Sequence, residues 1–216
     1  MIAIHEPAVA ITDLGLAILG AYLGWRLATA PARGTLTRSG AVVMGGLASA
    51  ALWGATFHAF FPDNTATPAG FLVWIPVVLS IIVVAALLLD LALSLLAPRF
   101  PVRARRAFVA VYASSFAVVA LLVGDSFSSI VRFYAPALIL ALGAAALEAV
   151  RTRSEGWTLM AAGFTTSVGA ALLQQAKVAI HPVYFDHNAV YHVVQGGALV
   201  LLYRGFWRAP VPEASA

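Results

Sequence analysis

The stretch AGFLVWIPVVLSIIVVAALLL, residues 69–89, decides the fold class of this chain. It carries no charged residue, and about 20 apolar residues in an α-helix are enough to cross the ~30 Å hydrocarbon core of a bilayer. The run is too long for a strand and lacks an alternation of polar and apolar residues. It therefore predicts a membrane-spanning helix.

The rest of the chain follows the same pattern. Of its 216 residues, 62% are hydrophobic and 10% are charged, and the mean hydropathy is +0.91. Soluble domains are closer to one half apolar and one quarter charged. We expect an all-α polytopic bundle of seven transmembrane helices, forming one domain over residues 1–208, with a disordered tail at 209–216. The apolar segments cover about 8–29, 40–61, 70–96, 107–124, 129–150, 157–177 and 187–204.

Arginines mark one side of the predicted bundle. Eleven arginines fall on one side, and only one arginine and one lysine fall on the other. Because cytoplasmic loops carry the excess of Lys and Arg, we expect an outside N-terminus and a cytoplasmic C-terminus, in the bacterial inner membrane or an equivalent one. The arginines are scattered without interleaved aromatics, which argues against a nucleic-acid partner. The eleven are Arg26, Arg33, Arg38, Arg99, Arg103, Arg105, Arg106, Arg151, Arg153, Arg204 and Arg208, and the other two are Arg132 and Lys177.

Polar residues of four segments fall in one layer near the predicted outer surface. His58 lies about one turn from the outer end of the second segment, and His192 lies about 7 Å below His187, the first residue of the seventh. Asp13 reaches a similar depth in the first segment, and Asp63 begins the loop after the second. The sixth segment ends on the same side with Gln174, Gln175 and Lys177.

The seventh segment presents a polar face. Asn188, His192 and Gln195 are spaced i, i+4, i+7 and share one side of a helix, so we expect Asn188 and Gln195 to orient His192. His187 lies about 140° away on a regular helix. It joins that face only if the first turn is frayed or capped, which Asp186 could provide.

Three imidazoles with an open fourth position form a catalytic zinc site that acidifies bound water. We therefore predict zinc as the cofactor, with His58, His187 and His192 as ligands and with Asp13 or Asp63 assisting the water as catalytic residue. Other interpretations stay open: Asp13 could pair with Arg132, and Asp63 could be a turn residue. Asp90 and Glu148 lie in the inner halves of their segments and are interpreted as partners of the inner arginines.

Two motifs resemble the CREST superfamily of seven-helix membrane hydrolases and receptors, which includes the alkaline ceramidases and the progestin and adipoQ receptors. They are FHAFF, residues 57–61, and HNAVYHVVQ, residues 187–195. The resemblance implies a zinc site of three histidines that cleaves a lipid amide. This chain departs from the superfamily pattern at three positions: Gly54 stands where its Ser-x-x-x-His motif has serine, Asn188 stands where its seventh helix has the first histidine of a His-x-x-x-His pair, and the early third segment has no aspartate.

The leading hypothesis is a zinc-dependent intramembrane hydrolase acting on a lipid amide or ester. The alternative is a non-catalytic protein of the same architecture that binds a lipid or small ligand. A haem protein with His58 and His192 as axial ligands is a third class. A retinal protein is disfavoured because the seventh segment has no lysine for a Schiff base, and the sequence leaves the oligomeric state open.

The topology can be tested alone. Cysteines introduced at Thr65 and Ala179 are expected to react with a membrane-impermeant thiol reagent in intact cells, and a cysteine at Ser154 is expected not to react. The chain has no native cysteine to interfere. Labelling at Ser154 alone would invert the topology.

Overall fold

The computed structural model describes residues 4–31, 34–61, 65–123, 127–182 and 184–210. Within these ranges the chain forms seven long helices, which confirms the predicted all-α fold and the number of helices. The helices are α1 (Pro7–Ala28), α2 (Thr35–Phe60), α3 (Pro68–Leu96), α4 (Val102–Val118), α5 (Phe127–Thr152), α6 (Glu155–Gln175) and α7 (His187–Arg208), and a π-helical turn (Val119–Val123) continues α4. Residues 211–216 of the predicted tail lie outside the described residues.

Six of the helices are long and apolar enough to cross a membrane, which makes this an integral, multi-pass membrane protein. They are α1, α2, α3, α4 with its π-helical turn, α5 and α6. Helix α7 is not among them by composition, although its 22 residues match α1 in length.

Local chemistry explains where the helices begin. Pro68 opens α3, and the Thr67 hydroxyl caps it by accepting from the Gly70 N–H at 3.2 Å. Helix α7 begins after Asp186, whose carboxylate accepts from the Ala189 N–H at 2.9 Å. Such caps satisfy N–H groups that have no partner inside the helix.

Helix contacts define a ring in the order α1, α2, α3, α5, α6, α7, with α7 returning to α1 and α4 lying outside against α3. The first and last helices are therefore neighbours, and they run parallel. The ends of α1 and α7 that come first in sequence meet the last turns of α2 at one end of the bundle, which we call the histidine end. The other end, where α1 and α7 finish, is the arginine end.

The arginine end carries ion pairs that the sequence anticipates. Arg105 Nε lies 2.8 Å from Asp90 Oδ1, and Arg151 Nη1 lies 3.5 Å from Glu148 Oε1. Both acidic residues are thus partners of arginines, as predicted. Arg208 also pairs with Glu155, and this contact ties the last turn of α7 to the first turn of α6.

Glycines let α6 and α7 approach closely. A Cβ built on Gly163 would lie 2.7 Å from Leu202 Cγ and 2.9 Å from the backbone nitrogen of Leu202. Because backbone cannot move aside as a flexible side chain can, a methyl group at this position would force the two helices apart. Small residues at such contacts are what bring membrane helices together.

We therefore expect Gly163→Ala to destabilise the protein by about 1–3 kcal/mol, the usual cost of overpacking. The matched control is Gly169→Ala in the same helix, where a Cβ meets nothing within 4 Å. That change is expected to be neutral or slightly stabilising, because alanine is the better helix former. Thermal unfolding in detergent measures both, and equal melting temperatures for the two variants would contradict the close contact.

Candidate active site

An acid–imidazole pair joins the first and last helices at the histidine end. His192 Nε2 lies 3.2 Å from Asp13 Oδ1, and the two side chains are only 9% and 6% exposed. Polar groups at such burial need partners, because an unpaired polar group away from water costs several kcal/mol. The pair therefore links α1 to α7, and each of the two buried groups gives the other a polar partner.

The other edge of the His192 ring faces a hydroxyl. Thr12 Oγ1 lies 3.0 Å from His192 Nδ1, so both ring nitrogens have partners on α1. Thr12 and Asp13 are consecutive and project about 100° apart on a helix. The ring therefore lies between a carboxylate on the α2 side of α1 and a hydroxyl on its α7 side.

Gly54 on α2 makes room for the carboxylate. A Cβ built on Gly54 would lie 2.9 Å from Asp13 Oδ2, closer than real Cβ contacts allow. The Asp13 carboxylate therefore occupies the space that a side chain at position 54 would fill. The position of the Asp13 carboxylate thus depends on the glycine at position 54.

Two further polar contacts connect α7 to α6. Gln195 Nε2 donates to Ser167 Oγ at 3.2 Å, and both residues are buried. Asn188 Oδ1 accepts from Gln174 Nε2 at 3.2 Å, nearer the start of α7. The sequence predicts Asn188 and Gln195 as the groups that orient His192. In the structure they bond to α6, and the groups that hold the His192 ring are Thr12 and Asp13.

His58 lies nearer the surface than His192. Its Nδ1 lies 2.5 Å from Glu6 Oε2, and the two side chains are about one third exposed. The chain before α1 is also bound here by its backbone, since the His5 N–H donates to the Ala59 carbonyl at 3.1 Å. His58 therefore pairs with the segment that enters α1, one turn above Gly54.

The structure does not bring His187 to this site. It is the first residue of a regular, capped α7, so it lies about 140° around the helix from His192. The cap at Asp186 produces no irregular turn that would carry the ring inward. Asp63, the other predicted catalytic acid, lies outside the described residues.

The donor set does not yet fit a zinc ion. Among the residues that the structure describes, no group of three His, Asp or Glu side chains is placed to hold a metal. His192 has both nitrogens engaged on α1, and His58 Nδ1 is engaged by Glu6. Zinc remains a prediction of the sequence.

Several site residues are not anticipated by the sequence. Thr12 and Ser167 are ordinary hydroxyl residues in apolar helices, and Glu6 lies before the first apolar segment. One signal was available for Thr12: it directly precedes the only acidic residue inside the first segment. Nothing in the sequence alone indicates the partners of Glu6 and Ser167, because both contacts depend on how the helices are rotated.

Gly54→Ala tests the cradle around the carboxylate. The added methyl group would displace Asp13 Oδ2, so we expect a loss of about 1–3 kcal/mol in the free energy of unfolding. Gly45→Ala on the same helix is the control, because a Cβ there meets nothing within 4 Å. In an Asp13→Ala background the penalty of Gly54→Ala should largely disappear, since contacting residues are coupled in a double-mutant cycle. An unchanged penalty in that background would contradict the contact.

No curated protein and no solved structure matches this chain. One family model does match, over residues 8–209, and it describes DUF6962, a family of unknown function. The matched range runs from the second residue of α1 to the residue after α7, so it includes the acid–imidazole pair and all seven helices. The chain therefore belongs to the DUF6962 family.

Proposed function

We propose that this protein is an intramembrane hydrolase that cleaves an ester or amide bond of a membrane lipid. The observation that carries the proposal is the buried contact between Asp13 Oδ1 and His192 Nε2 at 3.2 Å. An imidazole held by a carboxylate is the usual arrangement for moving a proton to and from a reacting group. The CREST resemblance of the sequence favours the same class of reaction.

The proposal includes the number of membrane spans and their orientation. We infer that α7 is a seventh span, because its 22 residues reach about 33 Å and it lies between two apolar helices in the ring. Its polar side chains lower its hydropathy, and three of them bond to α1 and α6. With the arginine end in the cytoplasm, the histidine end faces outward.

The depth of the pair suits a lipid carbonyl. His192 is five residues from the start of α7, which places it about 7.5 Å along the helix axis. The polar and interfacial layer of a bilayer extends about 5–8 Å beyond each side of the hydrocarbon core. Ester and amide groups of lipids lie at that boundary, so such a bond can reach the pair sideways from the outer leaflet.

Among the residues that the structure describes, the buried polar side chains of α7 end at Gln195. Below the contact of Gln195 with Ser167, the inward face of α7 continues with the buried apolar residues Ala198, Leu199 and Leu202. A proton or ion pathway would need polar partners through the whole thickness of the membrane. A site that opens at one end favours binding or chemistry in one leaflet over transport.

A non-catalytic lipid-binding protein is the second candidate. It is favoured by the partners of His192, because both ring nitrogens already have a contact within the protein. Such a ring can serve as a structural link between helices. The two candidates differ in whether a bound lipid is cleaved.

The experiment uses purified protein in nanodiscs that contain a fluorescent ceramide and a fluorescent phosphatidylcholine. We expect release of fatty acid from at least one of them. Asp13→Asn and His192→Ala should lower the rate by about 10²–10⁴-fold, the usual contribution of acid–base catalysis. His181→Ala, in the exposed loop before α7, is the control and should keep the rate.

Retained activity in Asp13→Asn and His192→Ala would contradict the proposed centre. Binding of either lipid to wild type without any release would support the non-catalytic candidate. Metal analysis of the same preparations tests zinc. If zinc is present and is lost in His187→Ala and His58→Ala but kept in Asp13→Asn, the three-histidine site predicted from the sequence is correct.

A further inference from the structure

We infer that Thr12 is the nucleophile of this site and forms an ester with the acyl group of the substrate. The inference rests on the proposed hydrolase function and specifies its mechanism. Its basis is the continuous contact from Thr12 Oγ1 through the His192 ring to Asp13 Oδ1, with separations of 3.0 and 3.2 Å.

These contacts match the general pattern of an activated hydroxyl. A nucleophile lies within hydrogen-bond reach of a base, and a third group orients the base. In this site the imidazole uses Nδ1 for the hydroxyl and Nε2 for the carboxylate, the reverse of the arrangement in the serine proteases. The imidazole can act as the base from either ring nitrogen, provided that one nitrogen contacts the hydroxyl and the other contacts the carboxylate.

The Thr12 hydroxyl has possible hydrogen-bond acceptors on two sides, the helix backbone and the His192 ring. Its Oγ1 lies 2.9 Å from the Ala8 carbonyl and 3.0 Å from the Val9 carbonyl, as well as 3.0 Å from His192 Nδ1. Its single proton can point to the helix backbone or to the imidazole. Thr56 and Thr166, by contrast, have only a backbone carbonyl as partner among the described contacts. Thr12 is distinguished from them by the imidazole.

Thr12 also lies where a lipid can reach it. It is on the α7 side of α1, and it is partly exposed, whereas Asp13 is 5% exposed. The outer surface of both helices is open here, since Ile11, which precedes Thr12, is 70% exposed and Val193, which follows His192, is 57% exposed. The seam between α1 and α7 thus presents the hydroxyl to the bilayer and keeps the carboxylate inside.

The reaction can be written with its atoms balanced. Thr12 Oγ1 forms a bond to the carbonyl carbon of the lipid ester while its proton passes to His192 Nδ1, and Nε2–H stays hydrogen-bonded to the Asp13 carboxylate. The bond from the carbonyl carbon to the leaving alkoxide then breaks, and the alkoxide takes the proton from Nδ1. Water attacks the acyl ester of Thr12 in the same way, giving its proton to Nδ1, and Thr12 Oγ1 leaves and takes that proton back. The products are a fatty acid and an alcohol.

The experiment needs one ester probe and one covalent probe. Full-length protein in detergent is mixed with a long-chain p-nitrophenyl ester, quenched with acid and analysed by mass spectrometry. We expect one acyl group, located on the peptide that contains Thr12. An alkyl fluorophosphonate should modify the same peptide in wild type, which identifies the nucleophile without any variant.

Three variants complete the test. Thr12→Val removes the hydroxyl with little change of shape and should reduce hydrolysis at least 100-fold and abolish labelling. Thr12→Ser keeps the hydroxyl and should retain both. Thr56→Val is the control, because the Thr56 hydroxyl donates to the Leu52 carbonyl and has no imidazole partner among the described residues.

The outcomes separate this inference from the function on which it rests. If Thr12→Val hydrolyses the ester at the wild-type rate while His192→Ala does not, water attacks directly, and the inference on Thr12 is wrong while the hydrolase proposal stands. Labelling of any residue other than Thr12 also overturns the inference. A wild type that neither hydrolyses the ester nor reacts with the fluorophosphonate overturns both.

Discussion

The contact between Asp13 and His192 is the constraint on which this architecture depends. Both groups are buried in a bundle that lies in a membrane, so each would be strongly destabilising without the other. Their pairing requires α1 and α7 to be neighbours and parallel, and it fixes the rotation of both helices. That rotation places Thr12 at the seam and brings Gln195 against Ser167. The contact between Asp13 and His192 thus determines where the neighbouring polar contacts of α1 and α7 form.

Glycines on α2 and α6 make room for the close contacts around the site. Gly54 allows the carboxylate to lie against α2, and a glycine contact between α6 and α7 holds the far wall close. Polar membrane sites require this combination, because hydrocarbon supplies no hydrogen bonds and every group must find its partner inside the protein. The glycine at position 54 is therefore explained by the carboxylate that lies beside it.

Much of the fold follows from the sequence, because long apolar runs permit few structures in a membrane. The positions of Asp13, His58 and His192 at one end of the bundle were also predictable, since depth follows from counting residues along a helix. Their pairing was not. Each residue turns a helix by about 100°, so a contact between side chains depends on rotations that one sequence does not state. This is why His192 meets Asp13, whereas His58 meets Glu6 and His187 meets neither.

The closure of the ring by the first and last helices has a consequence for how the protein is made. Asp13 belongs to α1, which is synthesised well before α7 and its residue His192. A buried carboxylate opposes the insertion of a helix into the membrane, and the His192 imidazole cannot offset that cost until α7 has been synthesised. During biogenesis α1 is thus an incomplete membrane segment. A chain that lacked α7 would leave the Asp13 carboxylate without the His192 imidazole.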